Sequence, residues 1–317
     1  MTNTPKISII VPAYNAAKSI EICLASLLQQ TYSAKNTEIH IVNDGSDDNT
    51  LNVLEALNLP DYVYIHTHNK NRGLAAARNT GIAHSKGDII IFLDADMEVF
   101  ADFIAAHVAY HEKPGVIGVV SALIPDSENP RDKYQKYIYF AKRGAKKYPG
   151  DSPLPFHVFI MGVTSIKSEA LKKTGIFDDQ ITRYGGEDTE FAYRLWQKYP
   201  EGLYYAPHIK VIHHHYRPFH EVLKNVETFG REVVPYLVQK HPEFDKLYGF
   251  SFIFPSKSLR GIAKKLIGKL VISDCSRCFL TALYHLLPYP FSNRITRLRL
   301  AAALWCGIYQ LKTASLK

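Results

Sequence analysis

The sequence predicts an α/β fold of the Rossmann type, in which helices flank a mostly parallel sheet. Over the first 120 residues, short apolar runs alternate with helix-like segments, as expected for parallel strands joined by helical crossovers. The predicted strands are residues 7–11, 39–42, 62–65, 89–93 and 116–120. The predicted helices are residues 17–30, 50–57, 73–84 and 101–111. The run at 89–93 is apolar throughout, which indicates a strand covered on both faces.

Beyond residue 124 the alternation loosens, and further elements are assigned one by one. Helices are expected over 132–147, from the Gly-Gly-Glu-Asp run at 185–188 to residue 198, and over 219–240. Strands are expected over 158–166 and 209–212. The length of 317 residues is enough for one large α/β domain with appendages.

The positive charge of the chain is concentrated at its C-terminal end. Of the net charge of +8, residues 251–317 carry +10, from eleven Lys and Arg against the single acid Asp274. Two apolar stripes with helical spacing run through this segment: Ile262, Leu266 and Leu270, then Ile295, Leu298, Ala302, Trp305 and Tyr309. Basic amphipathic helices of this kind are typical of anionic membrane surfaces. The alternative is that the helices dock on the protein body and expose only their charges.

Several classes of protein are disfavoured by the sequence. Neither G-x-G-x-x-G nor G-x-x-x-x-G-K-[ST] follows the first predicted strand, which counts against dehydrogenases and P-loop NTPases. Cys275 and Cys278 form a C-x-x-C without a second pair, so no zinc site is expected. Four cysteines without a signal peptide suggest a reducing cytoplasm, and the basic segment lacks a recognised nucleic-acid-binding module. No apolar run is long enough to cross a bilayer as one helix.

Polar clusters follow three of the predicted strands, at the edge where ligands bind in parallel sheets. They are residues 12–15, residues 43–50, and Asp94-Ala95-Asp96. Asp94 and Asp96 are two residues apart at a strand end, so both carboxylates can point to the same side. Together they could bind Mg²⁺ or Mn²⁺. The alternative is structural: two acids after a strand can cap the helix that follows.

At this point the sequence resembles the family 2 inverting GT-A glycosyltransferases. The resemblance covers residues 5–220 and excludes the basic segment. It rests on ordered blocks: Ile9–Asn15, Asn43–Thr50, Asn71–Gly81, Asp88–Asp96, Gly175–Asp178, Gly185–Asp188 and His213–His215. The implied fold is GT-A-like. The implied organisation is a nucleotide-sugar-binding half at 1–124, an acceptor-binding and catalytic-base half at 125–250, and a basic helical segment at 251–317.

The resemblance also implies a role for individual residues. Donor-binding residues would be Pro12, Ala13, Tyr14, Asn15, Asp44, Arg78, Asp94, Ala95, Asp96 and Glu187. Within this set, Asp44 would bind the base and Arg78 would help position the nucleotide. The metal, Mn²⁺ or Mg²⁺, would be held by Asp96 and His213, with His215 as the fallback, and Asp188 would be the general base. Purely structural alternatives are a turn residue for Asp44 and an acidic first helical turn for Glu187 and Asp188.

The expected activity is therefore metal-dependent, inverting transfer of a sugar from a nucleotide-sugar, most simply a UDP-sugar, to a hydroxyl group. The acceptor would be a lipid-linked or surface glycan on the cytoplasmic face of the membrane. One alternative is transfer to a polyprenyl phosphate, which is already anionic and needs no base. Another is a catalytically inactive nucleotide-sugar-binding scaffold protein.

Overall fold

The computed structural model describes residues 4–127, 130–183 and 185–314. The chain forms two compact units. The first comprises Met1–Glu128, Lys142–Thr182 and Glu187–His215, and the second Asn129–Ala141, Arg183–Gly186 and Tyr216–Lys317. The predicted functional boundaries at residues 124 and 250 stay predictions.

The first unit is built on one eight-stranded sheet. Its strands are β1 (Ile7–Ala13), β2 (Thr37–Asn43), β3 (Val63–Thr67), β4 (Ile89–Leu93), β5 (Met97–Val99), β6 (Gly118–Pro125), β7 (Val163–Lys167) and β8 (Leu203–His213). The spatial order is β3-β2-β1-β4-β7-β6-β8-β5. β1 pairs parallel with β2 and β4, and β2 with β3. β7 runs antiparallel to both β4 and β6, β6 pairs parallel with β8, and β5 closes the far edge antiparallel to β8.

Helices of the first unit join and cover these strands. They are α1 (Ile20–Leu28), α2 (Thr50–Ala56), α3 (Leu74–His84), α4 (Phe103–His111), α6 (Ser168–Thr174) and α7 (Glu187–Lys198). Every residue of β1 and β4 is buried, as expected for strands covered on both faces. The structure thus confirms the predicted α/β class, and β1 to β4 form the expected parallel half of the sheet. The fifth predicted strand, at 116–120, corresponds to β6, which lies in the mixed half between antiparallel β7 and parallel β8.

The second unit is helical. Its helices are α5 (Lys133–Phe140), α8 (Phe219–Glu232), α9 (Val234–Lys240), α10 (Asp245–Tyr248), α11 (Leu259–Ile272), α12 (Asp274–Leu286) and α13 (Ser292–Ala314). The basic segment 251–317 therefore shares this unit with residues 216–250. Within the described residues, no helix combines the length and apolarity needed to cross a lipid bilayer.

Some predicted elements differ from the structure for local reasons. The helix expected over 219–240 divides at Val233, because Pro235 lacks the N–H that would continue the α8 ladder. The helix expected over 132–147 ends at Phe140, and the strand expected from 158 begins at Val163 after a short 3-10 turn. Strand β5 and helix α6 were not predicted. Each is too short, at 3 and 7 residues, to show a clear periodicity.

The second apolar stripe of the basic segment is only partly covered within its unit, since Leu298 and Tyr309 are exposed. Ile295 and Ala302 of α13 are buried, and the Trp305 indole donates to the Tyr248 carbonyl at 3.0 Å. The α13 backbone lies close to that of α8. A Cβ atom added at Gly307 would lie 1.9 Å from the Glu227 carbonyl oxygen.

The substitution Gly307→Ala should destabilise the second unit by about 1–3 kcal/mol, because the helices must separate to admit a methyl group. Helix propensity alone predicts the opposite, a gain of about 1 kcal/mol. Thermal or denaturant unfolding measures the difference. An unfolding free energy equal to or above that of the unsubstituted protein would contradict the close approach of α8 and α13.

Candidate active site

The loops after β1 and β2 are joined by side-chain hydrogen bonds. Asn15 Oδ1 accepts from the Asp47 N–H at 2.9 Å, and the Tyr14 hydroxyl donates to Asp47 Oδ2 at 3.1 Å. Asn15 has a φ of 53°, in the left-handed region that asparagine tolerates better than most residues. Pro12 and Ala13 are buried within β1, so Tyr14 and Asn15 are the residues of this run that a ligand can reach.

Asp44 is buried and holds the loop that begins α3. Its Oδ1 lies 2.6 Å from His68 Nδ1 and accepts from the Arg72 N–H at 3.0 Å, while Oδ2 accepts from the Gly73 N–H at 2.8 Å. Gly73 has a φ of 91°, which favours glycine. Asp44 therefore has the turn-forming role that the sequence allows as the structural alternative to base binding. Its hydrogen bond to a nucleotide base stays a prediction.

The Arg78 guanidinium lies at the centre of a carboxylate cluster. Its Nη1 is 2.5 Å from Asp188 Oδ1 and 3.3 Å from Glu187 Oε1, and its Nη2 is 3.4 Å from Asp94 Oδ1. The Arg78 side chain is 1% exposed and stands over the Phe177 ring, 5.4 Å from the centroid. Any positioning of a nucleotide by Arg78 would therefore act through these carboxylates rather than through direct contact.

Both carboxylate oxygens of Asp188 are held by hydrogen bonds, and the side chain still reaches solvent. Besides the Arg78 contact at Oδ1, its Oδ2 accepts from the Met161 N–H at 3.0 Å, and the side chain is 21% exposed. The carboxylate is thus held in one orientation while part of it remains accessible. Such a group can accept a proton from a ligand that contacts it.

Glu187, the first residue of α7, is enclosed by protein rather than open to a sugar or an acceptor. Burial and repulsion from Asp188 raise the pKa of Glu187 to about 8, against the attraction of Arg78. One guanidinium is shared here by three carboxylates, so it cannot fully compensate each of them. Asp94 is affected in the same direction: burial first, then repulsion from Asp96 and Asp188, raise its pKa to about 6.

The segment that enters β7 contributes backbone contacts that the sequence did not reveal. The Asp94 N–H donates to the Gly162 carbonyl at 2.9 Å, and the neighbouring Met161 N–H binds Asp188. A Cβ atom at residue 162 would lie 2.6 Å from Asp94 Oδ2, so a larger residue there would displace the Asp94 carboxylate. A sequence does not show which backbone N–H groups will act as donors in the folded chain. Gly162, directly after Met161, is the sequence signal that could have drawn attention to this segment.

A second cluster forms where β5 pairs with β8. Asp96 Oδ2 lies 3.4 Å from His213 Nε2 and 3.5 Å from His215 Nδ1, and the two imidazole rings stack. His214 points elsewhere, with its Nε2 2.6 Å from Glu98 Oε2. This alternation is the one predicted for histidines that continue a strand. Although burial opposes it, the hydrogen bond and charge of His213 lower the pKa of Asp96.

The Asp96 cluster has the donor atoms of an open divalent-metal site. Within residues 4–127, 130–183 and 185–314, no three His, Cys, Asp or Glu side chains complete a metal site by themselves. However, Asp96 Oδ1 is buried and has no hydrogen-bond partner in the described part of the chain. A carboxylate and an imidazole suit Mn²⁺, and a substrate diphosphate and water can supply the remaining ligands. The residues therefore fit the metal that the resemblance implies.

Comparison with known proteins identifies the family and the fold of the chain. The sequence model described as glycosyl transferase family 2 matches residues 8–175, and the one described as the N-terminal domain of galactosyltransferase matches residues 145–220. The Bacillus subtilis glycosyltransferase YfnE is 30% identical over 239 residues, which are 61% of this chain and 60% of YfnE. The chain thus spans less than two thirds of the length of this curated relative.

Two solved structures share the fold over nearly the whole chain. The mannosyltransferase PcManGT of Pyrobaculum calidifontis has a TM-score of 0.66 at 20% identity, covering 98% of this chain and 88% of its own. TarS 1–349 of S. aureus has a TM-score of 0.56 at 15% identity, covering 98% and 92%. The family 2 match covers more than half of the 317 residues. This chain therefore belongs to glycosyl transferase family 2 and is an enzyme of that family with a GT-A-like fold.

Proposed function

We propose that the protein transfers a sugar from a UDP-sugar to a hydroxyl group, with inversion at the anomeric carbon and with a divalent metal. The observation that carries this proposal is the pair of clusters after β4 in the first unit. One cluster contains the oriented, accessible carboxylate of Asp188. The other contains Asp96 and His213, whose donor atoms suit a divalent metal. A base and a leaving-group stabiliser are the two functions that single-displacement sugar transfer requires.

The structural neighbours support a nucleotide-sugar donor. The PcManGT structure is described as a complex with GDP-Man and Mn²⁺, and the TarS structure as a complex with UDP. Both fold matches cover 98% of this chain. We propose UDP, and the open face of Tyr14 and Asn15 is the surface that would receive the nucleoside.

In the proposed reaction the acceptor oxygen bonds to the anomeric carbon while the bond from that carbon to the diphosphate breaks. The hydroxyl proton passes to Asp188, whose two oxygens are already oriented by Arg78 and by the Met161 N–H. Asp96 and His213, with His215 as the fallback, would hold the metal, which when bound neutralises charge on the departing nucleoside diphosphate. No enzyme nucleophile is needed in a single displacement.

We propose a lipid-linked or surface glycan as the acceptor, with the enzyme peripheral on the cytoplasmic face of the membrane. The charge of +10 on residues 251–317 supports this location, since anionic lipids attract basic segments. Nucleic acid is not expected as a partner. The acceptor and the location rest on charge alone and are independent of the proposed chemistry.

The base assignment predicts that Asp188→Asn lowers kcat about 10²–10⁴-fold while the donor still binds, because the amide cannot accept the proton. Release of UDP from a panel of UDP-sugars with Mn²⁺ and an acceptor extract measures turnover, and Asp179→Asn, an exposed carboxylate, is the matched control. An Asp188→Asn enzyme with full turnover would favour transfer to a polyprenyl phosphate. Absence of UDP release by the unsubstituted protein with any donor would favour the non-catalytic scaffold.

The metal assignment predicts that His213→Ala weakens Mn²⁺ binding at least about tenfold in the presence of UDP. The matched control is His214→Ala, because His214 faces Glu98 and should leave binding unchanged. Electron paramagnetic resonance of free Mn²⁺ reports binding without turnover. A loss in His215→Ala but not in His213→Ala would move the ligand to His215, and equal losses in His213→Ala and His214→Ala would refute the assignment.

The raised pKa of Glu187 predicts a pH effect on stability. The folded protein keeps the proton up to about pH 8, whereas the unfolded chain loses it near 4.5, so the unfolding free energy falls as pH rises through this window. In the unsubstituted protein the unfolding free energy should fall by about 1 kcal/mol for each pH unit between 5 and 8. In Glu187→Gln this fall should be absent. Urea unfolding at several pH values measures it, with exposed Glu201→Gln as control. Parallel pH curves for Glu187→Gln and the unsubstituted protein would contradict a protonated Glu187.

A further inference from the structure

Helix α11 packs on its own unit with a face that carries two glycines. Gly261 and Gly268 are both buried. A Cβ atom would lie 2.0 Å from the Ser256 carbonyl oxygen at residue 261, and 2.4 Å from the Phe252 carbonyl oxygen at residue 268. The glycines are seven residues apart and so share one face of the helix. That face lies against the backbone of the preceding segment.

The apolar face of α11 is turned to solvent. Its exposed side chains are Leu259 (87%), Ile262 (52%), Leu266 (64%), Ile267 (49%) and Leu270 (66%). At 100° per residue they fall within an arc of about 140° opposite the glycine face. Within a globular protein an amphipathic helix usually buries such a stripe. Here the part of the chain that the structure describes leaves it uncovered.

Positive side chains border this stripe on both sides. Lys265 and Lys269 lie on one flank and Arg260 on the other, all of them exposed. Helix α11 has no acidic residue, and Asp274 is the one acid in residues 251–317. An apolar strip between rows of positive charge matches the chemistry of an anionic membrane, with acyl chains beneath negative headgroups.

We infer that the exposed stripe of α11 docks in the headgroup region of an anionic lipid bilayer. This inference deepens the proposed peripheral location by naming the surface that makes the contact. A second copy of the chain fits the stripe less well, because symmetric pairing of two α11 helices would bring like charges together at the edges. The stripe of α13 offers less apolar surface, because Ile295 and Ala302 are buried within the unit and only Leu298 and Tyr309 of that stripe are exposed.

Cosedimentation with vesicles tests the inference on the full chain. We expect binding to vesicles of equal parts phosphatidylglycerol and phosphatidylcholine, little binding to phosphatidylcholine alone, and weaker binding at high salt. The pair Leu266→Gln and Leu270→Gln should lower partitioning about tenfold or more. The pair Lys265→Gln and Lys269→Gln should lower it about fivefold for each lysine.

The matched control is a protein with Lys35→Gln and Ile176→Gln, which changes an exposed lysine and an exposed apolar residue of the first unit and should bind as before. Circular dichroism checks that every variant is folded. Failure of the unsubstituted protein to bind anionic vesicles, or equal binding by the leucine variant, would overturn the inference. A dimer in sedimentation equilibrium that the leucine variant abolishes, without vesicle binding, would assign the stripe to a second copy instead.

The assay involves no sugar transfer, so its result is separable from that of the proposed function. Vesicle binding without UDP release would keep the docking surface and reject the reaction. UDP release without vesicle binding would do the reverse.

Discussion

The burial of the Arg78 guanidinium among three carboxylates is the constraint on which the site depends. A buried cation is costly unless it is paired and hydrogen-bonded, so Asp94, Glu187 and Asp188 must all reach it in the folded chain. These acids come from the end of β4 and the start of α7, and Arg78 comes from α3. Arg78 thereby holds the three carboxylates at fixed positions relative to one another. Below the guanidinium, Asn79 exchanges two hydrogen bonds of 2.9 Å with the Phe177 backbone, which anchors the ring under Arg78.

Sharing one cation among three acids has chemical consequences. Glu187 is the most enclosed of the three and is displaced towards its protonated form, which leaves more of the Arg78 charge to Asp188 and Asp94. Asp188 is held in one orientation by Arg78 and by the Met161 N–H, as the proposed base role requires. The run from Asp94 to Asp96 then connects this cluster to the one formed with the histidines at the β5–β8 edge. The two halves of the proposed chemistry are thus only two residues apart along the chain.

The basic helices of the second unit show how the same sequence pattern can lead to different degrees of burial. Both α11 and α13 carry an apolar stripe at helical spacing beside positive residues. In α13 the stripe is partly covered, because Ile295 and Ala302 are buried while Leu298 and Tyr309 are exposed. In α11 the glycines lie on the opposite side from the leucines, so close packing on Gly261 and Gly268 turns the leucines outward.

The sequence by itself determined the α/β class, most strands of the parallel half, the family and the polar residues at the strand ends. These properties are local, because periodicity and short motifs are written in neighbouring residues. It also predicted that His213 and His215 share a face. Only the tertiary structure decided that Arg78 is buried, that the Met161 N–H orients Asp188, that β7 is antiparallel, and that α11 exposes its leucines. Each of these depends on residues far apart in the chain, and burial is set by the elements that pack together rather than by any single segment.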